Sequence, residues 1–320
     1  MAYPTPAVTV TTAEKFIPEI WSDEIVAAYK KNLVLANIVM KMNFKGKKGD
    51  TVHIPAPTRG SATAKAASTA VTLIADTETE VLVNINQHFE YSRFIEDIVE
   101  AQALNSLRQF YTADAGYALA KQVDTSLIQL GRAFNGATVG TNDYATSNTS
   151  TKAFVGGDGT TAYNSTSSNA SALTDAAIRR TIQRLDDNDT PMDGRFFIIP
   201  PSSRNTLMGL SRYTEQAFVG NGNAIRTGEI GNLYGIPVFT SSNADTGAGN
   251  STTDRICLMG HKDSMVLVEQ IGIRSQTQYK QDYLATLFTS DTLYGVKALR
   301  AAATTGAALS SSAFALAVPA

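Results

Sequence analysis

The residue types that do chemistry are sparse in this 320-residue sequence. His53, His88 and His261 are its three histidines, and they lie far apart in sequence. Cys257 is the single cysteine, so neither a Cys/His zinc set nor an internal disulfide can be built. It sits in the apolar run "RICLMG" and reads as a small buried hydrophobe, with folding in a reducing cytoplasm the simplest setting. The densest carboxylate group is "LDDND", residues 185–189, at the end of an expected helix. Acids oppose the dipole there, which marks Asp186, Asp187 and Asp189 for metal or acid–base chemistry. They run straight into "TPMDGR", a turn signal, and solvated turn carboxylates account for them more simply. Asp143 and Asp158 lie in a polar loop without the spacing of an EF-hand. No Gly-x-Ser-x-Gly or His-Glu-x-x-His pattern occurs.

The stretch "GEIGNLYGIPVFTSSNA", residues 228–244, has glycines at 228, 231 and 235. A phosphate-binding loop follows a strand and opens a helix, so that backbone N–H groups meet the anion. Here Gly235 precedes strand formers, and no Lys or Arg lies between Gly228 and Ala244. The glycines therefore read as a turn into a strand. The expectation is no enzyme, no cofactor and no metal.

Composition narrows the class. Hydrophobic residues make up 43%, enough for a sizeable core, and the net charge is −2. Near-neutral balance argues against nucleic-acid binding as the main task. No apolar run reaches membrane-spanning length, and "MAYPTPAVTV" lacks the pattern of a secretory signal.

The elements follow from pattern. The first fifteen residues read as an extended arm, and "FIPEIWSDEIVAAYKKNLVLANIV" as a short helix capped by Ser22, with Trp21 and Phe16 as packing anchors. Next, Lys41, Lys45, Lys47, Lys48, Arg59 and Lys65 face a single acid, Asp50. "DTVHIPAP" alternates as a strand whose Pro55 and Pro57 deny it a central place in a sheet. The tip "RGSATAKAASTA" leads to a return strand, "TEVLVNINQHFEY". A long hairpin of this kind is marginal alone and must rest on something else. Acids cluster in and after the return strand, including Glu78 and Glu80. Self-neutralisation and complementarity between neighbouring copies both explain this charge pattern. From Phe94 to Phe134 a helical rhythm predicts a beam of about 50 Å. Residues 135–172 are a polar surface loop. The second half is mixed: a helix at "ALTDAAIRRTIQRLDD" with Thr174 or Ser171 as cap, a buried strand Arg195–Pro200, a helix behind Pro201, then consecutive strands.

In that order, "FIPEIWSDEI", "DDNDTPMDGRFFIIPPSSRNTLM", "GEIGNLYGIPVFTSSN" and "SDTLYGVKALRAAA" resemble the major capsid (coat) proteins of tailed double-stranded DNA bacteriophages, of the Hong Kong ninety-seven fold. The resemblance spans nearly the whole chain. It implies an α+β fold with an arm and short helix (1–43), an extended E-loop hairpin (44–90) and a spine helix in a peripheral domain (91–135). A polar insertion (136–171), an axial domain with a central mixed sheet (172–290) and a C-terminal strand returning to the peripheral domain (291–320) complete it. The implied function is self-assembly of homo-pentamers and homo-hexamers into an icosahedral shell around packaged DNA, in the virion, after assembly in the bacterial cytoplasm. The alternative is another repetitive structural subunit, of a tail tube, a surface layer or a decoration protein. Implied partners are a portal protein, a separate scaffolding protein because "FIPEIW" begins at residue 16, and a decoration or cement protein. Contact with DNA is expected to be non-specific, and no membrane is expected. Candidate inter-subunit contacts are Trp21, Lys45, Lys47, Lys48, Arg59, Lys65, Glu78 and Glu80. No match to the cross-linking Asn and Glu of some relatives is found.

Overall fold

The computed structural model describes residues 34–46, 48–57, 62–71, 73, 78–97, 106–134, 153–164, 168–210, 231–246, 254–300 and 312–320. Of the helix expected over residues 16–39, the part up to residue 33, with Trp21, lies outside them, as do Lys47 and Arg59, and the rest holds the four-residue helix Leu35–Ile38.

Two sheets divide the described chain. The first is four-stranded, with β1 (Met40–Asn43), β10 (Met265–Lys280), β11 (Ala285–Ala298) and β4 (Gln87–Glu96) side by side in that order. The second is six-stranded, in the order β5 (Ala153–Val155), β12 (Ala313–Val318), β9 (Arg255–His261), β6 (Arg195–Ile199), β8 (Ile236–Thr240), β7 (Asn232–Leu233). A separate pair, β2 (Thr51–Pro57) with β3 (Glu78–Asn84), forms the hairpin. Pro55 and Pro57 sit in this two-stranded ribbon, where each strand has a free edge that tolerates a missing N–H.

β6 is buried on both faces, which explains its unbroken apolar run. Phe197 and Ile199 pack under α3 (Asp175–Asp187) and α4 (Pro201–Met208) with Ile178, Leu185 and Leu207. Phe196 and Ile198 face the opposite way, into a core shared with the long helix α2 (Ser106–Gln129) and with Met265, Leu267 and Tyr294 of the first sheet. This second core joins the two sheets. Thr174 caps α3 by accepting the Ala177 N–H, and Pro201 opens α4 at the position where a missing N–H costs nothing. Tyr234 and Gly235 hold φ of 52° and 80° between β7 and β8, the two left-handed residues of a tight hairpin turn. From Gly231 to Thr240 the glycine stretch is a turn into a strand, and Gly228 lies outside the described residues.

Several boundaries differ from the sequence reading. The return strand does not run through residue 91 as one piece: β3 stays with β2, and β4 joins the long sheet. Phe94 and Ile95 belong to β4, paired with Leu287 and Thr286, so the helical rhythm read from Phe94 began inside a strand. The described helix α2 has 24 residues and tightens into a 3-10 turn at Leu130–Ala133. The segments drawn at 172–290 and 291–320 cut across the pairing. Residues 265–298 form two long strands paired with each other and with β4, not with the six-stranded sheet. Residues 313–318 instead insert between β9 and β5, where alternating Ala315 and Ala317 leave room on one face. From the polar loop, β5 pairs with β12, and Tyr163 is buried with its hydroxyl donating to Asp254 at 2.7 Å.

Candidate assembly surfaces

Most of the described residues suspected of chemistry are absorbed by the fold; Asp143 lies outside the described residues. Asp186, from the carboxylate cluster, accepts a hydrogen bond from Arg195 Nη2 at 2.7 Å, and the Arg195 side chain is 2% exposed. Arg195 also donates to the carbonyls of Pro191 and Thr190, so it ties the turn after α3 to the first residue of β6. An acid at this helix terminus is explained by a buried cation. Among the described residues no group of His, Cys, Asp and Glu forms a metal cluster. His261 is buried; its Nε2 donates to the Asp193 carbonyl at 2.8 Å, and its Nδ1 accepts the Asp263 N–H. The Cys257 thiol is buried, and desolvation pushes it up to about 12, which suppresses the reactive thiolate. Asp158 closes its own loop, accepting from the N–H groups of Thr160 and Thr161 and from the Thr161 hydroxyl. Burial, the largest single influence, acts upward on Asp158, but these hydrogen bonds together outweigh it and hold its carboxyl at about 2.

What remains unabsorbed is surface. The base of the hairpin is fixed: Val83 and Ile85 are buried against Val266 and Val268, with Val52, Ile54 and Leu293 around them. Gly295 lets the chain cross there, since a Cβ on it would stand 2.5 Å from the Asn84 carbonyl oxygen. Past the base no described residue covers the hairpin. Residues 62–71 are exposed without a break, and Val71 and Leu73 are 68% and 88% exposed.

The charged candidates are distributed unevenly. Lys45 reaches Glu269 of β10 at 3.6 Å rather than an acid of the return strand. Glu80 meets His53 across the ribbon at 2.8 Å. Lys48 and Lys65 are exposed and have no carboxylate partner among the described residues. The backbone of Glu78 begins β3, in register with Pro57.

Two features escaped the sequence reading. Asp124 is fully buried on α2 and accepts the N–H groups of Leu35 (2.9 Å) and Ala36 (3.3 Å), capping the short helix α1 (Leu35–Ile38) from a distant element. Its other oxygen accepts from Asn243 Nδ2 at 3.0 Å, in the loop after β8. No local pattern announces this; an acid among Val123, Leu127 and Ile128 was the only sign. The second is the far half of β10, exposed from Ile273 to Tyr279, and the aromatic pair Phe94–Tyr283 beside its tip, 5.7 Å between centroids. Its signal was a strand without an apolar face, "RSQTQYK".

Solved structures share this architecture. A protein of Mycobacterium phage Che8 superposes with a TM-score of 0.71 at 22% identity, over 94% of this chain and 97% of that one. The capsid structure of cyanophage P-SCSP1u gives 0.70 at 20% identity, over 96% and 94%. The asymmetric unit of the bacteriophage PhiM1 mature capsid gives 0.68 at 13%, over 94% and 92%. No curated protein matches the sequence. The fold is thus the α+β capsid fold of the Hong Kong ninety-seven type. A family model described as phage capsid protein matches residues 21–304, and the chain belongs to that phage capsid protein family.

Proposed function

We propose that this chain is the major capsid subunit of a tailed bacteriophage, self-assembling into pentamers and hexamers of an icosahedral shell that encloses the double-stranded DNA genome. The observation that carries this reading is the hairpin β2–β3. Its base is locked on the long sheet, while its tip offers exposed Lys65, Val71 and Leu73 to no partner among the described residues of its own chain. Membership of the capsid family supplies the partner class: further copies of the chain. On this reading the six-stranded sheet with α3 and α4 is the axial domain. The long sheet with α2 is the peripheral domain, and β2–β3 is the E-loop. Lys45, Lys48, Lys65 and Glu80, with Trp21, Lys47, Arg59 and Glu78, are contact residues between neighbours. Charge there sets register and partner choice more than affinity. Many modest, quasi-equivalent contacts, with hairpin and arm exchange adding area, hold the shell. Portal, separate scaffolding and decoration proteins are its further partners, assembly takes place in the bacterial cytoplasm, and no catalytic role is assigned.

Electron microscopy of the purified protein, expressed alone and with candidate scaffolding proteins of its own phage, tests the reading. Closed shells or five- and six-membered rings are expected. Sheets or tubes in place of closed particles, or monomers under every co-expression, would overturn it.

A further inference from the structure

The two sheets treat their edges differently. The six-stranded sheet ends in strands of three and two residues, β5 and β7, too short to template another chain. The hairpin edge carries Pro55 and Pro57. The outer edge of β4 carries Glu90, Arg93 and Glu96, and α2 leans on it through Tyr91 to Asp114 and Arg93 over the Tyr111 ring. β1, at one edge of the long sheet, has only four residues, and the β3 edge of the hairpin carries Glu78 and Glu80; β10 offers the longest uncharged open stretch among the described residues. Its first half is covered by β1, in parallel register from Val266 to Glu269. Lys45, against Gly272, and the Gly49 carbonyl, bonded to Gln270, fill the next step. Beyond that, Arg274–Tyr279 pair with β11 on one side and with no described residue on the other. All six residues are exposed, and the run Ser275–Tyr279 contains neither charge nor proline. Every second residue there turns an N–H and a C=O outward, an open template for one more strand.

We propose that residues 7–12 of a second copy, "AVTVTT", add as a strand to this edge at Arg274–Tyr279. The inference rests on the assembly reading above and names the segment and the site. The segment alternates Val8 and Val10 with Thr9 and Thr11, carries no charge and consists mostly of β-branched residues, which suits a polar edge strand. The chain before Val34 is 33 residues long and extends to about 110 Å at most. That is ample to reach a neighbour. The same chain is a poor donor. Its arm joins the described structure at Val34, just before β1, at the end of β10 remote from Arg274–Tyr279. A strand laid from that arm along β10 would meet β1, Lys45 and Gly49, which already occupy the lane. A head-to-tail contact of this kind, arm onto edge, closes into rings when the rotation between copies closes. Main-chain hydrogen bonds supply its affinity and the alternate side chains its register.

Two populations of the chain, one Val10→Cys and one carrying a single cysteine at position 275, 276, 277, 278 or 279, are co-assembled into particles, oxidised and run without reductant. Buried Cys257 does not compete. Covalent dimers between the two variants are expected at positions of one alternation, and amide exchange at 274–279 should slow at least tenfold from free subunit to particle. Intact particles without dimers at any position, or without slowed exchange, overturn the docking and leave the shell reading standing. A disulfide that forms only inside a doubly substituted chain also overturns it. Unsubstituted chains that never form particles defeat the assembly reading, and this inference with it.

Discussion

Asp186 and Asp187 are adjacent acids at one helix terminus, yet they sit in different environments. Asp186 holds the buried Arg195 guanidinium, whereas Asp187 is exposed at the unfavourable end of the helix dipole. Asp186→Ala leaves a buried cation short of its carboxylate and should cost about 1–3 kcal/mol, read by urea unfolding. Asp187→Ala should change stability by no more than about 0.5 kcal/mol. Equal losses at both positions would sink the structural account of the cluster. Asp158 gives a second, pH-dependent test. Its folded carboxyl lies at about 2, below the ordinary value of about 3.9. A depressed carboxyl contributes stability that is fully present above about pH 4 and is lost as pH falls through about 2. Asp158→Asn should therefore be less stable than the parent at pH 5, with the gap closing toward pH 2. Because Asp158 is exposed, the gap is small; a gap that widens on acidification would contradict the hydrogen-bond account.

At the scale of elements, the crossing of β3 over β11 depends on one missing side chain. Gly295→Ala puts a Cβ about 2.5 Å from the Asn84 carbonyl, a backbone atom that cannot swing aside. Either the ribbon lifts from Val266 and Val268 or the sheet bends, and such overpacking costs about 1–3 kcal/mol. Thermal unfolding and exchange at residues 81–85 should both register it; an unchanged melting curve would mean the hairpin base is not locked. The sequence carried the parts of the fold that are locally determined. β6 was legible because burial on both faces writes a continuous apolar run, and α3 because Thr174, an amphipathic stripe and the turn beyond it agree. Tyr234–Gly235 was legible as a turn. What failed were choices made by distant partners. Whether Phe94 and Ile95 are strand or helix is decided by β11, nearly two hundred residues away, and not by their own spacing. The destination of "AFALAV" was likewise open, since an alanine-rich strand fits wherever neighbours leave room. Asp124 could not be read as a cap because the helix it caps lies 88 residues earlier.

At the scale of the whole molecule, the apolar surface is spent in two places with different consequences. The core around Phe196, Ile198, Leu127 and Tyr294 fuses the two sheets into one body. The hairpin tip contributes nothing to that body: Lys65 and its flanks are exposed, and Leu73 is nearly bare. Folding and assembly should therefore separate under mutation. Removing residues 58–68 deletes exposed or undescribed chain and leaves Val52, Ile54, Val83 and Ile85 packed at the base. The variant should be soluble, with a melting temperature within a few degrees of the parent, as a surface change of under about 0.5 kcal/mol implies. In sedimentation and electron microscopy it should form shells poorly, because each subunit loses its reach onto the next. Normal shells would remove the hairpin from its assigned role. An insoluble or unfolded product would mean that the tip belongs to the folding core, against the exposure of every described residue from 62 to 71.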